Sequence, residues 1–167
     1  VLNKLQHYID KGGNMLVLGE PGKQYVLNPL LSQTGVRFSN GQLVAPSKDE
    51  TPDKIINYYT MDGFDLAAQK ALVQHKYVWE HGNREDSLKK GFDGATAIAY
   101  SNDKSFTIKP VFMSMPGRSW IKAGKLVVDS AAPVFSPAEG DILEKSFATA
   151  IELSRQYQNK EQRIIIP

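Results

Sequence analysis

The chain has 167 residues, 41% hydrophobic and 23% charged, which fits one ordinary globular domain and excludes a disordered or low-complexity scaffold. Its 20 Lys and Arg stand against 18 Asp and Glu, a net charge of +2 with the basic residues scattered, so no field of the kind nucleic acid requires is evident. The absence of cysteine excludes disulfides, Cys-ligated zinc and thiol nucleophiles.

Val1, Leu2, Leu5, Tyr8 and Ile9 share one helical face, and Gly12-Gly13 supplies the left-handed stop that helices favour, which predicts a first helix. Met15 to Leu18 follows as a continuous apolar run, the pattern of a parallel strand covered on both faces. After the loop Gly19-Glu20-Pro21-Gly22, Asn28-Pro29-Leu30-Leu31 opens a short helix that ends at Gly35. Val36-Arg37-Phe38 and Gln42-Leu43-Val44 flank Ser39-Asn40-Gly41, and Asn-Gly predicts a hairpin.

Ser47 to Lys54 is polar and reads as a loop or hinge, followed by a strand over Ile55 to Thr60. Phe64, Ala68, Ala71, Leu72, His75 and Trp79 recur at helical spacing, and His81 to Lys90 reads as an exposed connection. Ala95 to Tyr100 and Phe106 to Met113 read as strands around a turn-rich Ser101 to Lys104, with Pro110 pointing to an edge position in the second. Lys125 to Val128 is a further strand candidate, and Pro133 to Gly140 a loop. From Leu143 two periods compete: Leu143, Phe147 and Ile151 suit a helix, whereas Ala148, Ala150 and Glu152 suit a strand returning through Asn159 to Ile164.

No apolar run approaches the roughly 20 residues that a helical bilayer span requires. The start at Val1 inside an amphipathic pattern, and the end on the apolar run Ile164 to Ile166, read as the boundaries of a piece of a longer protein.

Few side chains suggest chemistry. Gly19 to Gln24 has the outline of a phosphate loop but lacks both the four-residue glycine spacing and the Ser or Thr after Lys23. Its position after a strand still makes Gly19, Glu20, Pro21 and Gly22 candidate ligand contacts. His7, His75 and His81 do not form the paired pattern of a helix-borne metal site and read as structural or solvated residues. No Gly-x-Ser-x-Gly elbow occurs, and Asp49-Glu50 and Glu85-Asp86 lie in polar stretches that read as hydrated surface. Of the two tryptophans, Trp79 falls on a predicted apolar stripe, while Trp120, after Pro116-Gly117-Arg118-Ser119, is the better candidate for contact with a ligand or partner. No catalytic, metal or cofactor residues are assigned.

The order of these segments resembles the auxiliary domain of uncharacterised ABC-type transport systems, including the gliding-motility-associated component. The resemblance is carried by Leu5 to Leu18 with its Gly12-Gly13, by Leu27-Asn28-Pro29-Leu30-Leu31 and Thr34-Gly35-Val36, then by Thr107-Ile108-Lys109-Pro110-Val111, Ser119-Trp120 and Glu161 to Ile166. That family continues into a Gly-Asp-x-Asp-Phe segment, and this chain stops just before it. The resemblance implies an extracytoplasmic, periplasmic domain of an inner-membrane protein, flanked by transmembrane segments and working with permease and ATPase subunits. It also implies a core similar to flavodoxin and class I glutamine amidotransferase sheets, without the Cys nucleophile that amidotransferases need.

The expected fold is therefore a three-layer α/β domain with a mainly parallel sheet and a partly antiparallel insertion over about residues 48–130. The expected function is a non-enzymatic binding or coupling domain of a bacterial ABC transport system. The alternatives are a receptor domain for a small molecule, such as a carbohydrate, or a carboxylate-dependent hydrolase.

Overall fold

The computed structural model describes residues 1–47, 49–70, 89–124, 126 and 133–167. The predicted helical continuation through His75 to Trp79, most of the predicted connection from His81 to Lys90 with its Glu85-Asp86, and all but one residue of the Lys125 to Val128 strand lie outside them.

The first helix, α1 (Leu2–Asp10), forms where the apolar spacing predicts it, and Ile9 is its buried anchor. Its end is a Schellman turn: Gly12 N–H donates to the Ile9 carbonyl, Gly13 N–H donates 2.9 Å to the Tyr8 carbonyl, and Gly12 has φ of +84°. A Cβ on Gly12 would lie 2.5 Å from the Tyr157 ring, so both conformation and space require glycine here.

The apolar run that follows departs from its predicted role. Strand β1 is only Met15–Leu16, pairing in parallel with the last strand at the edge of the sheet. Val17 is buried, but Leu16 and Leu18 are 65% and 70% exposed, so the run is covered on one side only.

Helix α2 (Gln24–Leu31) starts before Asn28, carries Pro29 inside, and passes through a 3-10 turn at Ser32–Thr34 to the left-handed Gly35. The predicted Asn-Gly hairpin does not form. Strands β2 (Val36–Phe38) and β3 (Gln42–Val44) do not pair with each other. Asn28 explains part of this, because its side-chain amide donates 3.0 Å to the Phe38 carbonyl and accepts from Phe38 N–H at 2.8 Å, imitating a neighbouring strand. Gln24 and Thr96 bind the Ser39 and Gly41 carbonyls of the turn itself. Local turn propensity is thus overridden by side chains that occupy the groups a hairpin would use.

The remaining strands are β4 (Lys54–Tyr59), β5 (Lys89–Asp93), β6 (Ile98–Tyr100), β7 (Thr107–Ser114), β8 (Trp120–Lys122), β9 (Ala148–Tyr157) and β10 (Lys160–Ile166), with helix α3 (Met61–Lys70) after β4. A six-stranded sheet runs β1-β10-β9-β7-β4-β5, and two small sheets pair β2 with β6 and β3 with β8. Among the described residues only β1 and β10 are parallel; every other strand pairing is antiparallel.

The three-layer, mainly parallel α/β expectation is therefore wrong. The described residues form a mainly β fold with three short helices, and antiparallel pairing is not confined to an insertion but continues through β9 and β10. The error has a physical source: a short continuous apolar run does not report the direction of its neighbour, and a helix before a strand needs no crossover when that strand lies at a sheet edge.

Pro110 also departs from expectation, because β7 is an interior strand between β9 and β4. The register slips between Pro110 and Phe112, so the missing N–H falls at a bulge rather than at an edge. Thr60 closes the freed carbonyls: its hydroxyl donates to Pro110 and its N–H to the Val111 carbonyl at 3.1 Å, while its hydroxyl also accepts from Gly63 N–H to cap α3. The competing periods after Leu143 resolve as strand. The β9–β10 hairpin turns through Gln158 and Asn159, both left-handed at φ of +47° and +63°.

Two apolar clusters fill the interior. The larger joins Ile9, Leu30, Leu31, Phe38, Ile151 and Ile164; the smaller joins Leu43, Ile55, Ala97, Ile121 and Phe147. At the larger cluster's margin sits Gln162, 1% exposed, whose Nε2 donates 2.8 Å to each of the Ile9 and Gly13 carbonyls while Oε1 accepts from Arg155 Nε. Gln162→Leu keeps the volume but takes the side-chain donor from the Gly13 carbonyl and the acceptor from Arg155 Nε, while the Ile9 carbonyl keeps Gly12 and Arg155, and is expected to lower unfolding free energy by about 1–3 kcal/mol in urea titrations.

Candidate functional site

Two concave regions of the described surface bear on the predicted contacts. The first borders the loop after β1, with a cavity volume of about 400 Å³ lined by Leu18, Gly19, Phe38, Phe92, Thr96 and Thr149 among others. Of the predicted contacts only Gly19 lines it. A Cβ there would lie 2.5 Å from Phe38 Cζ, so this glycine serves the packing of a ring. Glu20 instead forms an exposed ion pair with Lys23 at 2.7 Å, and Gly22, at φ of +84° with open space around it, makes the turn. Glu20, Pro21 and Gly22 do not line the cavity.

The second cleft lies where β4 meets β8 and the segments beside them, with a cavity volume of about 460 Å³. Ile55, Ile56, Met115 and Leu143 give it apolar lining, and Glu50, Lys54 and Arg118 are its charged residues. Trp120 is in its wall, fixed by pairing of β8 with Val44 of β3 and by an edge-on contact with Phe135 at a centroid distance of 6.1 Å. Trp120 is only 8% exposed, so it contributes a wall rather than an open stacking platform.

The polar groups of this cleft are unevenly matched. Lys54 Nζ binds Glu50 Oε1 at 2.7 Å, whereas Arg118 makes no ion pair with any described residue. Trp120 Nε1 and Ser119 Oγ are shut off from water without a hydrogen-bond partner. Buried donors left in this state cost about 1–3 kcal/mol each. Ser119 and Arg118 went unassigned from sequence, although the Pro-Gly turn before them was the available signal for a displayed segment.

The described acids do not converge on either cleft as a catalytic pair. Glu139 and Asp141 come together on Lys122, with Asp141 Oδ2 3.2 Å from its Nζ. Burial alone would raise the Asp141 carboxyl, but N–H donors from Ser136 and Ala123, together with the Lys122 ammonium, outweigh it and hold the group below its ordinary range. This carboxylate fastens the segment around Ser136 to β8. Asp49-Glu50 is exposed and His7 sits on the open side of α1; among the described residues no cluster of His, Asp and Glu is arranged to hold a metal.

No family model and no curated protein matches the chain. Among solved structures, one titled mmIFT52 N-terminal domain aligns with a TM-score of 0.58 at 13% identity, covering 99% of this chain and 57% of that one. The likeness is one of fold alone. It fits the mixed, mainly β architecture described above and carries no activity across. No described helix is long and apolar enough to cross a membrane.

Asp141 has a depressed folded-state pKa, so its contribution to stability is present above the ordinary Asp range and is lost as pH falls through the folded value. Thermal unfolding midpoints measured from neutral pH to about pH 3 should show Asp141→Asn less stable than the parent at neutral pH and with a shallower acid-side decline. Equal slopes would mean that another carboxylate governs acid unfolding.

Proposed function

We infer that this chain is a non-catalytic recognition domain whose ligand site is the cleft beside Trp120. The observation that carries the reading is a half-open apolar cleft of about 460 Å³ with a few polar groups at one place, the construction of small-molecule sites. Arg118 and Trp120 lie at the start of β8, so one short segment supplies both an exposed cation and the indole wall of the cleft. Close acids among the described residues are tied to cations, Glu139 and Asp141 to Lys122 and Glu152 and Glu161 to Arg163, which favours a binding role over acid–base hydrolysis.

The motif order that resembles ABC transport auxiliary domains supports placing such a domain on the periplasmic side, where occupancy of the cleft would be relayed to permease and ATPase partners. Co-purification of those subunits with the full-length protein tests that placement.

The binding reading is tested by a fragment screen on ¹⁵N-labelled protein that includes neutral, cationic and anionic compounds. Shifts in the Trp120 indole and in Arg118 to Lys122 amides are expected for at least one charge class. Shifts confined to Leu18 to Gly22 would move the site to the other cavity, and no shift from any class would end the reading.

A further inference from the structure

The charge and the apolar lining of the Trp120 cleft also indicate what kind of ligand fits. We propose that the cleft takes a monocarboxylate with an apolar body, an inference that rests on the cleft being a ligand site.

The charged side chain of the lining that is open to solvent and makes no ion pair with a described residue is Arg118. A guanidinium carries five N–H donors and no acceptor, whereas Trp120 Nε1 and Ser119 Oγ are closed off from solvent and lie out of a ligand's reach. The carboxylate among the lining side chains, Glu50, has its charge balanced by Lys54 at 2.7 Å. A ligand that satisfies Arg118 must bring oxygen acceptors.

Charge narrows the choice further. Lys54 is balanced by Glu50, which leaves Arg118 as the uncompensated cation of the lining. One guanidinium matches the single charge and planar oxygens of a carboxylate through a two-point contact. A phosphate monoester carries close to two charges at neutral pH and would exceed what one cation balances. The apolar remainder of the ligand has Ile55, Ile56, Met115 and Leu143 to cover. Burial of that body supplies affinity, while the carboxylate fixes its orientation. A small organic acid and the free carboxyl end of a peptide share this chemistry.

The test uses the ¹⁵N-labelled chain, whose two indole resonances are assigned with Trp79→Phe, titrated with 3-phenylpropionate and its neutral amide. The acid is expected to shift the Trp120 indole with a Kd at least tenfold lower than that of the amide, and Arg118→Gln to erase the difference. Arg118 is exposed, so this variant leaves the core untouched. Tighter binding of N-acetyl-Ala-Phe than of 3-phenylpropionate would assign the carboxyl to a chain terminus, and the reverse to a free acid; both uphold the carboxylate. If the amide binds as tightly as the acid, or Arg118→Gln changes the acid's Kd less than twofold, the ligand class is wrong while the binding site stands. If no compound of any charge moves the indole, the site itself is wrong.

Discussion

The interaction on which the fold most depends is the buried amide of Gln162. It sits in β10, yet it serves the end of α1, donating to the Ile9 and Gly13 carbonyls that the helix end and the following turn present. Arg155, on the neighbouring strand, completes the arrangement. Its Nε donates to Gln162 at 2.6 Å, one terminal nitrogen reaches the Ile9 carbonyl at 3.0 Å, and its guanidinium lies 4.4 Å from the centre of the Phe106 ring. A cation at a helix C-terminus also meets the negative end of the helix dipole. Beginning and end of the chain are joined by polar groups placed with little tolerance, while the Ile9, Ile151 and Ile164 cluster supplies the bulk of the burial.

From this junction the rest of the sheet is built outward. β9 pairs with β10 on one side and β7 on the other, and its Ala148 to Leu153 stretch is buried on both faces. The bulge at Pro110 bends β7 beneath α3, where Gly63 approaches so closely that a Cβ would meet the Val111 carbonyl at 2.2 Å. The small β3–β8 pair stands apart from the main sheet, and the cleft beside Trp120 opens between that pair and β4. The site is thus a product of the departure of two strands from the sheet, with Lys54, Ile55, Ile56 and Trp120 supplied by strands and the rest of its wall by the segments beside them.

What the sequence disclosed follows physical range. The α1 face, the Gly12-Gly13 stop, Gly35 and the strand character of β4, β7 and β10 were legible because they rest on local spacing and local φ. Strand direction was not, since Met15 to Leu18 looks the same whether its neighbour lies in the centre of a parallel sheet or at an edge. The Asn40-Gly41 turn misled because Asn28, Gln24 and Thr96 take up the bonds of a hairpin from outside the turn, Thr96 from far along the chain. The candidate site was half legible: Trp120 was singled out by residue type, and the structure places it in a cleft wall, but its companions Ile55, Met115 and Leu143 come from separate segments that no spacing connects. Gly19 was named for a ligand role, and the Phe38 ring beside it supplies a packing reason for glycine.

The parallel pairing of β1 with β10 also has a consequence for how the protein reaches this state. Asn14 accepts from the Arg163 amide across a separation of 149 residues, and the register Met15 to Ile164 lies beside it. A ribosome delivers β1 long before its partner exists, so the edge exposing Leu16 and Leu18 waits unpaired while the intervening chain is made. Closure of the sheet is then a late, slow event, governed by the search of two distant segments rather than by local helix or turn formation. During that interval the nascent edge is available to any extended segment that reaches it.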